Sequence, residues 1–374
     1  MLKFGKHFYN TISNIMSSTY NNKEPESPLL LSMQLFDADR FLPSVEDVLE
    51  VKKIFFNAAK ETRLPLEIIE SIIDLAEYWP HATTSGFAIP GSRDNRPFDN
   101  PRKEITVRSG ARTENQFLLR SLPIGYFPFR ENKHDLPSQK HLEDETEFTK
   151  VEPKPWPSDE QIPQDATEEV IKQWAEVSLC RGQFPCRKII FRIRSRDQGW
   201  GGVRADKGTY RGSYTWFDVG LERTYATRQD PHFRPYDYTQ ESSNEIVCGV
   251  QTIIPEVVQP NPDDVPENHR DSTATYPATF KHKLNPDTKV LQKNKTATAI
   301  PENHVITWRF NDNIHPESPE ADKLEEQGRG RDTGNGEFVR NLRIGDVVTL
   351  WAKARYPGWA NTIEDVSIEV YYAI

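Results

Sequence analysis

The residue types best suited to chemistry lie in a glycine-rich segment that spans residues 195–218. Its first part, Asp197-Gln198-Gly199-Trp200, places a carboxylate and a carboxamide beside a glycine and an indole ring. Glycine lets the backbone approach a ligand closely, and aromatic faces beside polar side chains suit sugars or peptides. The same aromatic residues could instead fill the end of the fold as part of its core. If the segment binds a ligand, the candidate residues are Asp197, Gln198, Trp200, Tyr210 and Trp216.

A turn near the C-terminus carries two further candidate ligand-binding residues, Trp359 and Asn361. Large aromatic residues have little structural reason to lie in a turn, which favours a role in binding. In a β-sandwich the loops at one end converge, so we expect this turn and the 197–200 loop to share one site. Trp351 lies on the preceding strand, on the face opposite the core, where it is either covered by an insertion or exposed.

Catalytic motifs are incomplete in this chain. The nine histidines are scattered, and the three cysteines, Cys180, Cys186 and Cys248, do not have the spacing of a zinc site. We therefore predict no catalytic residue, no bound metal and no cofactor. An alternative is a carbohydrate-active hydrolase that uses paired carboxylates near Trp200 and Trp216. The acidic candidates for that pair are Asp197, Asp218 and Glu222.

Two helical patterns precede these segments and predict a helical hairpin over residues 43–80. The first helix begins after Pro43, with Ser44 as its cap and acidic residues in its first turn. The second begins at the proline of Leu64-Pro65-Leu66 and ends before Pro80, because proline is tolerated at a helix start and disfavours helix in the residue before it. Apolar residues recur along both helices at steps of three and four.

From residue 104 onward the apolar period changes from 3.6 to 2, which indicates β-strands. Regular helices do not separate these strands, so we predict a mainly β fold, an antiparallel, jelly-roll-like β-sandwich over residues 104–374. The segment Arg187–Ser195 alternates best, with Ile189, Phe191 and Ile193 inward and Lys188, Arg192 and Arg194 outward. The other predicted strands are Glu104–Arg108, Gln116–Leu122, Ser213–Leu221, Glu245–Ile253, His304–Phe310, Asp346–Ala354 and Asp365–Tyr372.

Two long insertions interrupt the predicted sandwich, at about 131–175 and 255–302. The first is strongly acidic and ends in a short predicted helix over Thr167–Ala175, whereas the second is rich in proline and lacks a clear period. The segment 181–224 is basic and contains interleaved aromatics, a pattern that single-stranded nucleic acid also requires. We interpret it as a solvated face or a partner of the acidic insertion. A nucleic-acid partner is the less favoured interpretation, because attraction between charges alone is not specific.

We predict that the N-terminal region, residues 1–42, is disordered or weakly ordered. Residues 1–23 contain lysines and apolar residues but no acid, so they are either a frayed start or an organelle-targeting or membrane-surface segment. Three cysteines are too few for a disulfide framework, and no apolar run approaches the ~20 residues that span a bilayer. These features predict a protein of the reducing cytoplasm without a transmembrane segment.

Several motifs together resemble a family of fungal cytoplasmic proteins for which no reaction is established. They are the segment from Leu64-Pro65-Leu66-Glu67 to Tyr78-Trp79-Pro80, Arg196-Asp197-Gln198-Gly199-Trp200, the segment from Gly208-Thr209-Tyr210 to Trp216-Phe217, and the segment from Trp351-Ala352 to Trp359-Ala360-Asn361. The resemblance spans about residues 40–374, implies a C-terminal β-sandwich and supplies no catalytic residue. Separately, residues 64–80 are similar to the opening of an F-box, the helical module that docks on ubiquitin-ligase adaptors, which implies a possible adaptor contact there.

These patterns favour a non-enzymatic binding or adaptor protein. Aromatic loop residues are abundant, and no motif completes a catalytic set. We therefore expect recognition of a peptide, a protein or a glycan through aromatic loops at one end of the sandwich. The less favoured readings are the hydrolase, an F-box-like substrate receptor of a ubiquitin ligase, and nucleic-acid binding through residues 181–224.

Overall fold

A computed structural model describes residues 42–58, 64–86, 104–110, 113–125, 145–155, 168, 171–172, 175, 178–228, 246–258 and 278–374. Pro43–Ile374 forms one compact unit. The predictions for residues 1–41, for most of the acidic insertion and for part of the proline-rich one lie outside the described residues. None of the described helices combines the length and the apolar run that a bilayer-spanning helix needs, and the longest has 14 residues.

The described chain is mainly β. Its helices are α1 (Val45–Ala58), α2 (Leu66–Leu75), α3 (Glu145–Lys150), α4 (Pro319–Glu326) and α5 (Glu337–Arg340). The first six strands are β1 (His81–Gly86), β2 (Ile105–Arg108), β3 (Asn115–Arg120), β4 (Cys186–Arg196), β5 (Thr215–Arg228) and β6 (Ile246–Ile254). The others are β7 (Glu256–Val258), β8 (Thr279–Lys281), β9 (Gln292–Lys293), β10 (Glu302–Arg309), β11 (Val347–Ala354) and β12 (Ala360–Tyr372).

These strands form two larger antiparallel sheets that face one another, and β7 pairs with β8 in a separate two-stranded sheet. Sheet A has the order β1-β12-β4-β10, and β2 also pairs with β12, beyond the end of β1. Sheet B has the order β3-β11-β5-β6, and β9 pairs with β5. The two sheets are in contact, because a Cβ on Gly86 of β1 would lie 3.1 Å from the side chain of Leu119 on β3. This architecture confirms the predicted mainly β fold with antiparallel sheets.

The inner faces of the two sheets form the main hydrophobic core. Alternate residues of neighbouring strands share a face, so the register of β4 with β10 and β12 brings their apolar side chains together. Phe191 and Trp308 meet edge to face, with ring centroids 5.1 Å apart. The inner face of sheet A includes the buried side chains of Ile189, Phe191, Ile193, Ile306, Trp308, Val366, Ile368 and Val370. Sheet B contributes Leu119, Phe217, Leu221, Val348, Leu350, Ala352 and Ala354.

The outer face of sheet B is buried as well, under a second layer that includes part of the proline-rich insertion. Trp351 contacts Phe280 and His282 from this insertion, with ring centroids 5.6 and 5.1 Å away, and it contacts Phe117 of β3. Covering by an insertion was one of the two alternatives for Trp351, and the structure selects it. In the segment that follows, from Val290 to Thr296, five of the seven residues are also buried although it showed no apolar period.

The outer face of sheet A carries the helical hairpin at one end. Lys188 of β4 donates to Glu77 at 2.6 Å and lies over the rings of Trp79 and Tyr371. Lys188 is buried, and so is Arg192, which pairs with Glu369 at 2.8 Å. The sequence pattern assigned these two cations to the outward face correctly, but the expectation of a solvated face is wrong for them, since both side chains are buried.

Most predicted elements agree with the structure within a few residues. All eight predicted strands are present, and the predicted cap of α1 is confirmed by reciprocal hydrogen bonds between Ser44 and Asp47. The principal omission is β1, because His81–Gly86 has no apolar alternation from which a strand could be predicted. The sheet therefore begins right after the hairpin rather than at residue 104.

Candidate functional site

The candidate site is a groove of about 280 Å³ on the outer face of sheet A, at the end opposite Lys188. It forms where β2, the start of β12 and the end of β4 lie side by side, with Arg108 opposite Ala360 and Thr362 opposite Arg196. The loop that follows β4 closes one side. Its lining residues are Glu104, Thr106, Arg108, Arg196, Gln198, Trp200, Ala360 and Thr362.

Asp197 anchors the loop that forms this side of the groove. The residue is fully buried, and its carboxylate accepts hydrogen bonds from the backbone amides of Gly199, Ala297 and Thr298 at 2.6–2.8 Å. Gly199 has a φ of +85°, and a Cβ there would lie 2.6 Å from the Cβ of Ala299. Glycine is therefore required at this position for both conformation and space.

Trp200 projects from the anchored loop and is 61 % exposed. Gln198 holds this part of the loop, because its amide donates to the Trp200 carbonyl at 2.6 Å and accepts from the Ala360 amide at 3.1 Å. The indole ring lies against the C-terminal turn, where a Cβ on Gly358 would be 2.8 Å from it. The 197–200 loop and the turn before β12 are thus neighbours, although about 160 residues separate them in the sequence.

The two arginines that line the groove differ in how far neighbouring carboxylates compensate their charge. Arg196 pairs with Glu104 at 3.1 Å and lies 3.8 Å from Glu364, which also pairs with Arg194. Arg108 is exposed, and no ion pair or hydrogen bond of its side chain is found within the described part of the chain. The groove therefore presents one guanidinium that is not neutralised by its neighbours.

A buried polar network supports the floor of the groove from below. Asn361 accepts a hydrogen bond from Asn294 at 2.8 Å and donates to the carbonyls of Trp216 and Lys353. Asn294 in turn accepts from Ser195 at 2.7 Å. Buried polar groups that are satisfied in this way hold neighbouring strands in one arrangement. The network links the ends of both sheets and fixes the start of β12.

The predicted site residues separate into those that line the groove and those that support it. Gln198 and Trp200 line it, whereas Asp197 and Asn361 are fully buried and act as supports. Trp216 is also fully buried, on the outer face of sheet B, where its indole donates to Asp218 at 3.0 Å. The expectation that Asp197, Trp216 and Asn361 touch a ligand directly is corrected here, because none of them reaches the surface.

Tyr210 and Trp359 have other surroundings. Trp359 is half-buried and packs edge to face on Tyr214, with centroids 5.3 Å apart, so it supports the C-terminal turn. Tyr210 lies beside Lys295 and Glu302, and its hydroxyl is 3.5 Å from the Glu302 carboxylate. Neither residue lines the groove.

The acidic residues that could form a hydrolytic pair have structural partners. Glu222 is buried and pairs with Arg120 at 2.8 Å, and Asp218 lies 3.8 Å from Lys353. Both side chains belong to the outer face of sheet B, whereas Asp197 belongs to the groove loop. Among the described residues that line the groove, Glu104 is the one carboxylate. Within the described ranges, three or more possible metal ligands do not come together.

Sequence reasoning missed five polar or charged lining residues of the groove, Glu104, Thr106, Arg108, Arg196 and Thr362. The first three alternate with Ile105 and Val107, which indicates an outward polar face on that strand. Nothing in this pattern specifies that β2 pairs with β12, and therefore nothing brought these residues to Trp200 before the fold was known.

In residues 64–80, the F-box-like segment, the side chains of Ile69, Ile73 and Trp79 are buried, and Trp79 packs on the sandwich against Phe310 and Lys188. Leu66, Ile68 and Leu75 of α2 are exposed. An adaptor contact through this segment stays a prediction, and so does membership of the fungal family. Compared with protein-family models, curated proteins and solved structures, the chain shows no match. The geometry of the groove therefore carries the functional argument.

Proposed function

We propose that this chain is a non-enzymatic binding protein that recognises its ligand in the groove beside Trp200. The single observation that carries the proposal is the exposure of this indole on a loop that is otherwise tightly anchored. A large aromatic side chain that remains in water costs free energy, and held rigidly beside polar groups it is typical of a recognition surface. Recognition of a glycan, a peptide or a protein at this surface agrees with the predicted function.

The composition of the groove supports binding over catalysis. A hydrolase of the carbohydrate-active type needs two carboxyl groups ~5–9.5 Å apart on either side of the bond to be cleaved. Glu104 is the single carboxylate among the described lining residues, and it is engaged with Arg196. Apart from Ala360, the other lining side chains are an amide, two hydroxyls, two guanidiniums and an indole, which can position a ligand but do not form an acid–base pair.

A direct test compares the wild-type protein with Trp200→Ala on arrays of glycans and of short peptides. We expect at least a tenfold loss of array signal in the variant, because a central aromatic anchor contributes ~2 kcal/mol or more to binding. The melting temperature should change little, since the indole is mostly in water. Phe184→Ala is the matched control, because Phe184 is also an exposed aromatic residue but precedes the opposite end of β4.

Equal signals from the wild-type and Trp200→Ala proteins would contradict the proposal. So would a wild-type protein that binds no probe above the level of an unrelated protein of the same net charge. A large drop in melting temperature would instead assign Trp200 to the stability of the loop, which also removes the argument for a binding role.

A further inference from the structure

Within the described part of the chain, the guanidinium of Arg108 has no ion-pair or hydrogen-bond partner, and this indicates which ligand the groove suits. Arg108 lies on the outward face of β2 and lines the groove together with Trp200. The other lining cation, Arg196, has Glu104 and Glu364 within 4 Å, so its charge is largely compensated. A guanidinium that is free and exposed beside an aromatic platform favours a ligand with an anionic group, and its planar donors match a carboxylate in particular.

The floor of the groove is built from hydroxyl groups. The Thr106 and Thr362 hydroxyl oxygens are 3.2 Å apart across the β2–β12 pair and share a hydrogen bond. Each hydroxyl keeps further acceptor capacity, since an oxygen of this kind has two lone pairs and one donor. The Gln198 amide positions the indole through the Trp200 carbonyl and the Ala360 amide, and its second N–H and second lone pair remain available to a ligand. The ligand contacts available are therefore hydroxyls, an amide, a guanidinium and an indole.

The same set disfavours a peptide that binds through apolar anchors. Such anchors need concave apolar pockets, and among the described lining residues the apolar ones are Trp200, which projects, and Ala360, which is small. The volume of about 280 Å³ is near the lower end of the ~300–1,000 Å³ of small-molecule sites. This size suits one or two rings of a chain-like ligand.

A sugar that carries a carboxylate satisfies all of these features. The C–H face of a pyranose ring can pack on the flat indole, its hydroxyls can bond to Thr106 and Thr362, and its carboxylate can pair with Arg108. We propose, resting on the binding function proposed above, that the groove recognises a uronic acid unit of an acidic glycan. Arg108 is the residue that selects the acidic sugar over its neutral counterpart.

The test uses tetragalacturonic acid and its fully methyl-esterified form, which differ in charge but retain the same rings. Binding is measured by isothermal titration calorimetry for the wild-type protein, Arg108→Gln and Trp200→Ala. We expect the wild-type protein to bind the acid about ten- to hundredfold more tightly than the ester, as the loss of one charged hydrogen-bonded pair implies. Arg108→Gln should bind both forms equally weakly, and Trp200→Ala should lose both.

Lys323→Gln is the charge-matched control, because Lys323 is an exposed cation on α4 that does not line the groove. It should retain the preference for the acid. A hexaglutamate peptide is the third ligand, and binding as tight as that of tetragalacturonic acid would overturn the assignment to a sugar.

The outcomes separate this inference from the proposed function. If array binding depends on Trp200 but the acid and the ester bind equally, or neither binds, the uronic acid assignment is wrong and the binding function stands. If no array probe depends on Trp200, both proposals fail. A preference for the acid that survives in Arg108→Gln would contradict the role of Arg108 alone.

Discussion

Asp197 shows how one buried side chain can determine the shape of a surface loop. It does not reach the groove, but its carboxylate accepts three backbone amides and joins the loop after β4 to the segment before β10. Burial raises the pKa of this carboxyl group, and the three hydrogen bonds oppose that shift. Because the loop carries Trp200, we assign Asp197 a positioning role.

Substitution of Asp197 should therefore destabilise the protein in proportion to the hydrogen bonds it removes. Asp197→Ala should lower the free energy of unfolding by ~2–4 kcal/mol, because three amides lose their acceptor. Asp197→Asn keeps one acceptor oxygen and should cost less than the alanine variant. Urea denaturation measures both values. If the free energy of unfolding of Asp197→Ala lies within about 0.5 kcal/mol of the wild-type value, water replaces the carboxylate and its hydrogen bonds do not stabilise the loop.

At the scale of elements, the short segment after β8 acts as a cover for sheet B. The Lys353 ammonium group donates a hydrogen bond to Nδ1 of His282. The buried ring of Trp351 packs against the same imidazole. Burial lowers the pKa of His282 to about 3, and the nearby charges of Lys353 and Arg355 act in the same direction. Burial likewise lowers the pKa of Lys353 to about 8. A hydrogen bond between the neutral imidazole of His282 and the buried ammonium group of Lys353 therefore holds this segment on sheet B.

This arrangement predicts a pH dependence of stability. An unfolded histidine binds a proton near pH 6.5, whereas folded His282 does so only near pH 3. Between these values the unfolded state binds more protons, so the free energy of unfolding should fall as the pH falls, by up to ~1.4 kcal/mol per pH unit from this residue. His304, with its pKa lowered to about 4, contributes in the same sense.

His282→Gln should reduce the slope between pH 6.5 and 4 and leave the contribution of His304, because the glutamine oxygen can accept from Lys353 without titrating. Urea denaturation at several pH values measures the slope. His315→Gln, at an exposed position, should keep the wild-type slope. If the His282→Gln and wild-type slopes are the same, the imidazole does not govern this region.

At the scale of the whole molecule, the helical hairpin is part of the sandwich. Trp79 donates to Asp74 at 2.8 Å, packs edge to face on Phe310 and lies beneath Lys188. Asp74 pairs with Arg181 and Arg187, and Glu77 pairs with Lys188 and Arg309. The hairpin therefore contacts β4 and β10 of sheet A, and we expect it to unfold together with them.

Trp79→Ala tests this coupling. Removal of a fully buried indole should lower the free energy of unfolding by ~3–5 kcal/mol, and it should lower the melting temperature of the strands as well as the helices. Far-UV circular dichroism, analysed separately for its helix and strand signals, measures the two transitions. A strand transition that stays at the wild-type temperature while the helical signal is lost would show that the hairpin is an independent module.

The sequence was sufficient to locate eight of the strands and the first two helices, but it was insufficient for β1 and for the site. The alternation of Ile189, Phe191 and Ile193 located β4, and the capping residues at Ser44 located α1, because such signals depend on near neighbours in the chain. The 197–200 loop could also be identified, since its glycines and Trp200 are contiguous. These features depend on interactions between residues that are close in the sequence, so a short stretch of sequence is enough to predict them.

The partners of these elements depended on the tertiary structure. Thr106 and Arg108 became part of the groove because β2 pairs with the start of β12, about 250 residues away. Trp216 and Asn361 proved to be buried because the Val290–Thr296 segment and the second layer cover them. Strand pairing is determined by how all the apolar faces can be buried at once, so it is a property of the whole chain and not of any short pattern within it.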